Sequence, residues 1–98
     1  MCNQQQCVER LTEATPYIRS EFGVTFMCLF GSMARGDNGP ESDADICVDM
    51  PPRAFKVIAL KNFLQDLLGM AVDLVRRNPR LDPFLVDEIE RDGIWIFS

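Results

Sequence analysis

VTFMCLFGSMARGDNGPESDADICVDM, residues 24–50, is the stretch that decides the fold. It opens with Val24 to Phe30, an unbroken apolar run rich in strand formers between Gly23 and Gly31. Such a run reads as a buried central strand. It closes with Ala44 to Met50, which alternates and reads as a second strand, stopped by Pro51 and Pro52. Between them GSMARGDNGPES is punctuated by Gly31, Gly36, Gly39 and Pro40, and reads as a loop or a short helical turn.

Working outward, Asn3 followed by Gln6 suits a capped helix start. Cys7, Leu11, Ala14, Ile18 and Phe22 recur at steps of three and four, one apolar helix face that ends at Gly23. Pro16 predicts a kink or a restart, with Thr15 as a possible cap. Downstream, residues 54–68 carry the stripe Leu60, Phe63, Leu64, Leu67 and Leu68 and close at Gly69. Ala71 to Val75 reads as a third strand, and Asn78-Pro79 as a turn. Asp82 followed by Pro83 is a favoured helix start. That helix carries Phe84, Leu85 and Ile89 to Gly93, and Ile94 to Phe97 forms a last strand. Helices and strands alternate throughout, which predicts an α/β sheet with short crossovers.

Spacing places chemistry on the second strand. Asp43 and Asp45 are two apart and share a side of the sheet, with Cys47 and Asp49 following on that side. Ala44, Ile46, Val48 and Met50 take the other side and belong to the core. In the third strand Val72 and Leu74 make the core pair, so Asp73 points away from it and matches Asp43 and Asp45 if both strands share the helix-covered face; taken alone, Asp73 reads as a strand-edge acid. Three carboxylates then converge at one end of a sheet. Hard divalent cations with oxygen ligands fit such a cluster, and magnesium on substrate phosphates fits best. In a two-metal site the ions lie about 3.5–4 Å apart and serve both the attacking and the leaving oxygen. Taken alone, the Asp43-x-Asp45 pair could be surface acids on a half-exposed strand, although Asp is disfavoured inside strands. Gly31 lets backbone approach an anion, Ser32 adds a hydroxyl, and Arg35 can add a charge-assisted contact to phosphate. A Gly-Ser after a strand is by itself usually an ordinary turn. The P-loop pattern is absent.

Composition narrows the classes. Ninety-eight residues, 47% of them hydrophobic and 26% charged, predict one domain over 1–98 with a packed core. A net charge of −5 disfavours direct DNA or RNA binding. The acids gather between Asp37 and Asp49 and between Asp82 and Asp92. No stretch is long enough for a membrane span and MCNQQQCVER has no signal-peptide core, so a cytoplasmic protein is expected. Cys2, Cys7, Cys28 and Cys47 read as reduced thiols, and the absence of His and of a CxxC pair speaks against zinc.

LFGSMARGDNGPESDADICVDM, residues 29–50, closely resembles the signature of the nucleotidyltransferase superfamily typified by DNA polymerase beta. Within that superfamily the chain looks like the minimal nucleotidyltransferase antitoxins of HEPN–MNT toxin–antitoxin pairs. The likeness runs from the first helix to IERDGIWIFS at residues 89–98. The resemblance implies a mixed sheet of about four strands with helices on one face. It implies that Gly31 and Ser32 hold the β- and γ-phosphates of ATP, while Arg35 supports the triphosphate or orders the loop. Asp43 and Asp45 would be paired metal ligands. Asp73 would be the third, binding the catalytic ion and helping to deprotonate the acceptor. It further implies two Mg2+ ions, and transfer of AMP to a tyrosine of a HEPN-type partner. Met33 and Ala44 depart from commoner residues without removing a ligand.

Two other functions compete. A binding module could silence its partner by contact alone, using Val75, Trp95 and Phe97 at the open face of the sheet, unless these are core residues. A self-dimer is also compatible with such a face. A small-molecule nucleotidyltransferase is less well supported, since such enzymes generally carry a further helical domain for the acceptor. The run Arg76, Arg77 and Arg80 could contact ATP or an acidic partner, or be a solvated face.

Overall fold

The computed structural model describes residues 3–36, 43–77 and 80–98. The predicted turn at Asn78-Pro79 and loop residues 37–42 lie outside them. Helix α1 (Gln4–Glu13) starts with the expected reciprocal cap: Gln6 N–H donates to Asn3 Oδ1 at 2.8 Å, and Asn3 N–H to Gln6 Oε1 at 3.2 Å. Pro16 does restart the helix. The second, α2 (Thr15–Phe22), has Ala14 at its N-cap with no side-chain cap. Thr15 is not that cap, because its hydroxyl donates back to Leu11 O at 3.0 Å.

Strand β1 (Phe26–Phe30) leads directly into the five-residue helix α3 (Gly31–Arg35). Val24 and Thr25 precede the strand, although Thr25 N–H still bonds Asp49 O at 2.9 Å. Then come β2 (Ala44–Asp49), α4 (Ala54–Leu68) and β3 (Val72–Arg76), the last shifted one residue from its predicted start. Helix α5 (Pro83–Asp92) begins at Asp82, whose carboxylate accepts from Phe84 N–H at 2.9 Å, and β4 (Ile94–Phe97) ends the fold.

The sheet order is β3-β2-β1-β4. Strand β1 is antiparallel to both neighbours, and β2 is parallel to β3 through the α4 crossover, so the sheet is mixed as expected. One face packs Met27, Leu29, Ile46 and Val48 against Leu11 and Ile18 of α1 and α2, and against Leu60, Leu64 and Leu68 of α4. Truncating any one of these leucines to Ala would cost about 2–5 kcal/mol. The expectation of helices on one face holds for these three. Helix α5 lies on the other face, where Ile89 closes a smaller core of Phe26, Cys28, Phe30 and Cys47. Gly93 makes that docking possible: a Cβ there would strike Ile89 O and Cys28 Sγ. Cys28 and Cys47 face each other across β1 and β2 as free thiols. Burial first, and then the other thiol, pushes Cys28 up to about 12, so it acts as a small hydrophobe. Among the described residues no helix is long and apolar enough to cross a membrane.

Candidate active site

The site forms where β1 ends. Asp45 lies opposite Phe30 in the antiparallel pair and beside Asp73 in the parallel pair. Registered neighbours in a sheet point to the same face, so the two carboxylates project together. Asp43 stands just ahead of β2 and is exposed, as is Asp73, whereas Asp45 is half-buried. The alternate residues Ala44, Ile46 and Val48 are fully buried in the main core and hold β2 in this register. A one-residue slip would send every carboxylate to the wrong face.

Asp45 reports the consequence. Its carboxyl is pushed up to about 6, chiefly by burial, then by the negative charges of Asp73, Glu88 and Asp43; Arg35 opposes the shift. Anions have been gathered here faster than cations to neutralise them.

Above this cluster the chain turns through Gly31. Its φ of +75 is costly for a side-chain-bearing residue, and a Cβ there would be driven into the Asp45 carboxylate, with Cγ at 3.0 Å. Glycine is therefore required twice at this position, once for the turn and once for the close approach. Met33, fully buried in the main core, anchors the turn from beneath. The Gln4 side chain of α1 donates to Ala34 O at 2.5 Å, a second anchor. Ser32 is half-buried at the head of α3.

Of the residues singled out in the sequence, the fold brings Asp45, Asp73 and Gly31 together, with Asp43 close enough to raise Asp45. Arg35 is directed elsewhere. Its Nη1 donates to Glu88 Oε1 at 3.0 Å and lies 4.0 Å from Asp92 Oδ2, which ties α3 to α5. That placement fits loop ordering better than a standing phosphate contact. Asp49, on the same face as Asp45, belongs to the opposite end of β2 and pairs with Arg77 at 3.6 Å. Sequence reasoning missed Glu88, which had registered only as one acid among many. The available signal was helical spacing: Leu85, Glu88 and Asp92 share a flank of α5, separated by three and four residues.

The donor set suits a hard cation. Every side chain that could ligate is a carboxylate, and burial, followed by the charges of Asp73, Glu88 and Asp43, disfavours a bare carboxylate at Asp45, a cost that a divalent ion would relieve. Among the described residues no three such side chains are drawn close enough to hold an ion by themselves. An ion here would need oxygens from a substrate as well, which is how magnesium is commonly held.

A glycine turn set against neighbouring aspartates is the equipment of a nucleotide-transferring fold, and the comparisons agree. The family described as "Nucleotidyltransferase domain" matches residues 11–96. A candidate protein adenylyltransferase of Methanocaldococcus jannaschii, MJ1217, is 37% identical over 90 residues, covering 90% of this chain and 92% of the relative. Protein adenylyltransferase MntA of Thermococcus cleftensis is 41% identical over 70 residues, covering 69% and 71%. Among solved structures, a protein described as a candidate minimal nucleotidyltransferase superposes with TM-score 0.76 at 28% identity, covering 95% of each chain. A chain from a complex of a tri-AMPylated Shewanella oneidensis HEPN toxin with an MNT antitoxin gives TM-score 0.64 at 19% identity, covering 97% of this chain and 72% of that one. The chain belongs to the nucleotidyltransferase family, among its minimal members.

Proposed function

We propose that this protein moves AMP from ATP onto a hydroxyl of a HEPN-type partner protein, a tyrosine hydroxyl, and so acts as an antitoxin. The observation that carries the reading is the parallel register of Asp45 with Asp73 directly beneath the Gly31 turn. Names of relatives support it: they are protein adenylyltransferases, and one fold neighbour comes from an AMPylated toxin complex.

In this reading Gly31 and Ser32 hold the β- and γ-phosphates, and Asp43 with Asp45 would hold magnesium. Asp73 accepts the proton of the acceptor hydroxyl. That oxygen attacks the α-phosphorus, the bond from the α-phosphorus to the bridging oxygen breaks, and pyrophosphate leaves with the electron pair. Magnesium, when bound, would acidify the attacking hydroxyl and neutralise the leaving pyrophosphate. Arg35, held on Glu88 and Asp92, fixes the turn on which the phosphates rest.

The test is to incubate the protein with ATP, magnesium and a HEPN-type partner and weigh the partner. Wild type should add AMP, and Asp43→Ala with Asp45→Ala should add none. An unmodified partner in the presence of a wild type that binds Mg-ATP by calorimetry would overturn the reading. A second reading, silencing by contact, draws on the exposed Trp95. It predicts that the double variant still neutralises the partner fully in cells.

A further inference from the structure

Helix α5 divides its face of the sheet in two. On one flank Glu88 and Asp92 meet Arg35 beside Asp45. On the other flank Val86 and Glu90 border a groove of about 580 Å³, whose sheet side is formed by Phe26, Trp95, Asp49 and Arg77. Residues 88 and 90 are two apart on a helix and so face nearly opposite ways. The groove therefore opens on the flank of α5 that faces away from Asp45.

One wall of this groove already holds a guanidinium. Arg77 lies over the Phe26 ring, 4.5 Å from its centroid, with the Asp49 carboxylate 3.6 Å away. An aromatic face and a carboxylate together are what a guanidinium needs: one supplies the ring quadrupole, the other a charge-assisted hydrogen bond. The groove repeats that pair without its cation. Trp95 is 49% exposed and stands edge-on to Phe26, with centroids 5.3 Å apart. Glu90 is exposed on the α5 wall and, among the described residues, its carboxylate has no hydrogen bond or ion pair.

We propose that this groove is a second binding site, and that its ligand is an arginine side chain presented by a protein partner, held between Trp95 and Glu90. The chemistry excludes the simpler occupants. A purely apolar side chain would bury the Glu90 carboxylate without a counter-charge, which is costly. An anion would find Arg77 already paired with Asp49 and would meet the Glu90 carboxylate with no cation beside it. Lysine would satisfy Glu90, but its compact, strongly hydrated ammonium stacks less well on an indole than a planar guanidinium does. The inference goes beyond the transfer reaction, since it names a contact made on the far side of α5, whether or not AMP is moved.

Trp95 is the only tryptophan of the chain, so its fluorescence reports on the groove directly. The probe is the tripeptide acetyl-Gly-Arg-Gly-amide, titrated against the whole protein without nucleotide. Its controls are the same peptide with lysine and with uncharged citrulline. Wild type should show a saturable change in Trp95 emission with the arginine peptide, about fivefold weaker binding of the lysine peptide, and no saturation with citrulline. Glu90→Gln should weaken the arginine peptide about fivefold while leaving the melting temperature in place, because Glu90 is exposed and its carboxylate makes no bond among the described residues. Glu90→Lys should abolish binding. A linear, non-saturating response, equal response to citrulline, or unchanged affinity in Glu90→Gln would each overturn the proposal.

Discussion

Strand β2 carries two aspartates on one face, four residues apart, and they live in opposite electrostatic conditions. Asp49 at one end has the Arg77 guanidinium at 3.6 Å, itself stacked on Phe26. Asp45 at the other end has Asp73, Glu88 and Asp43 around it, and Arg35, whose charge opposes theirs, is bonded to Glu88 instead. Residue type, strand, face and neighbouring alternation are shared, so the difference comes from burial and from the charges set around each carboxylate. At Asp49 the fold completes the charge and the group is structural. At Asp45 the fold assembles a deficit, and a deficit of positive charge in a partly desolvated cleft is a place for something cationic to bind. The site is thus marked by what the protein leaves unbalanced.

Replacing each aspartate in turn is the most direct way to break that comparison. Asp45→Asn keeps size and hydrogen-bonding capacity but removes the charge, and AMP transfer should fall by about a thousandfold or more. Asp49→Asn, on the same face, should leave transfer within about threefold of wild type, because Asp49 belongs to a separate, already neutralised pair. Initial rates on a HEPN-type acceptor measure both. Equal losses would mean that the face as a whole, and not the unbalanced end, does the work. Next in size is Gly31→Ala, which puts a methyl where Asp45 now lies and forces an L-residue to φ +75. It should cost about 2 kcal/mol of stability in denaturant unfolding. It should also lower transfer even in the fraction that remains folded, since Asp45 must move to admit the Cβ. A variant as stable and as active as wild type would remove the claim that this glycine and this carboxylate are fitted to each other.

How much of this was legible beforehand follows from where each feature's cause lies. Periodicity in β2 is local: Ala44, Ile46 and Val48 could only face a core, so the opposite orientation of Asp43, Asp45 and Asp49 was readable from the chain. Alternation in β3 put Asp73 on the face of Asp45, but setting the two side by side took the parallel β2–β3 register, which no local pattern specifies. Which strands were antiparallel was not readable, because short connections between helices and strands serve either direction. The position of α5 was not readable either. Its apolar stripe says that it packs, but the sheet face it covers depends on Gly93 allowing close approach to Cys28, a contact 65 positions apart in sequence (93 against 28). That one placement decides the rest: it brings Glu88 to Asp45, engages Arg35 with Glu88, and leaves Trp95 at a groove. Trp95, expected at an open face or in the core, is half-exposed there, while Val75 and Phe97 pack against the two cores. The basic run also resolved only in three dimensions, with Arg77 committed to Asp49 and Phe26.

The smallest expected effect sharpens the comparison most, because it separates function from stability. In the folded protein the Asp45 carboxyl titrates near 6, against an ordinary 3.8. A raised folded value means that the native state binds the proton more tightly than the unfolded chain does. Ionising Asp45 therefore costs stability as pH rises from about 3.8 to about 6, and the cost is complete above that window. Asn cannot ionise, so Asp45→Asn should be more stable than wild type at pH 7.5 and indistinguishable from it on this account below pH 3.8. The shift would correspond to about 3 kcal/mol if the group were fully enclosed. Asp45 is only half-buried, so solvent screening reduces the expected gain to about 1 kcal/mol. For a domain of this size that is about 4–8 °C in melting temperature, measured in chelator so that no divalent ion offsets the charge. Asp49→Asn should behave in the opposite sense, losing its pairing with Arg77 and up to about 0.5 kcal/mol at neutral pH. A variant that gains stability as it loses activity identifies Asp45 as a residue kept for chemistry at the expense of the fold. If Asp45→Asn instead lost stability at pH 7.5, the carboxylate would have to be serving the native structure, and the contrast with Asp49 would collapse.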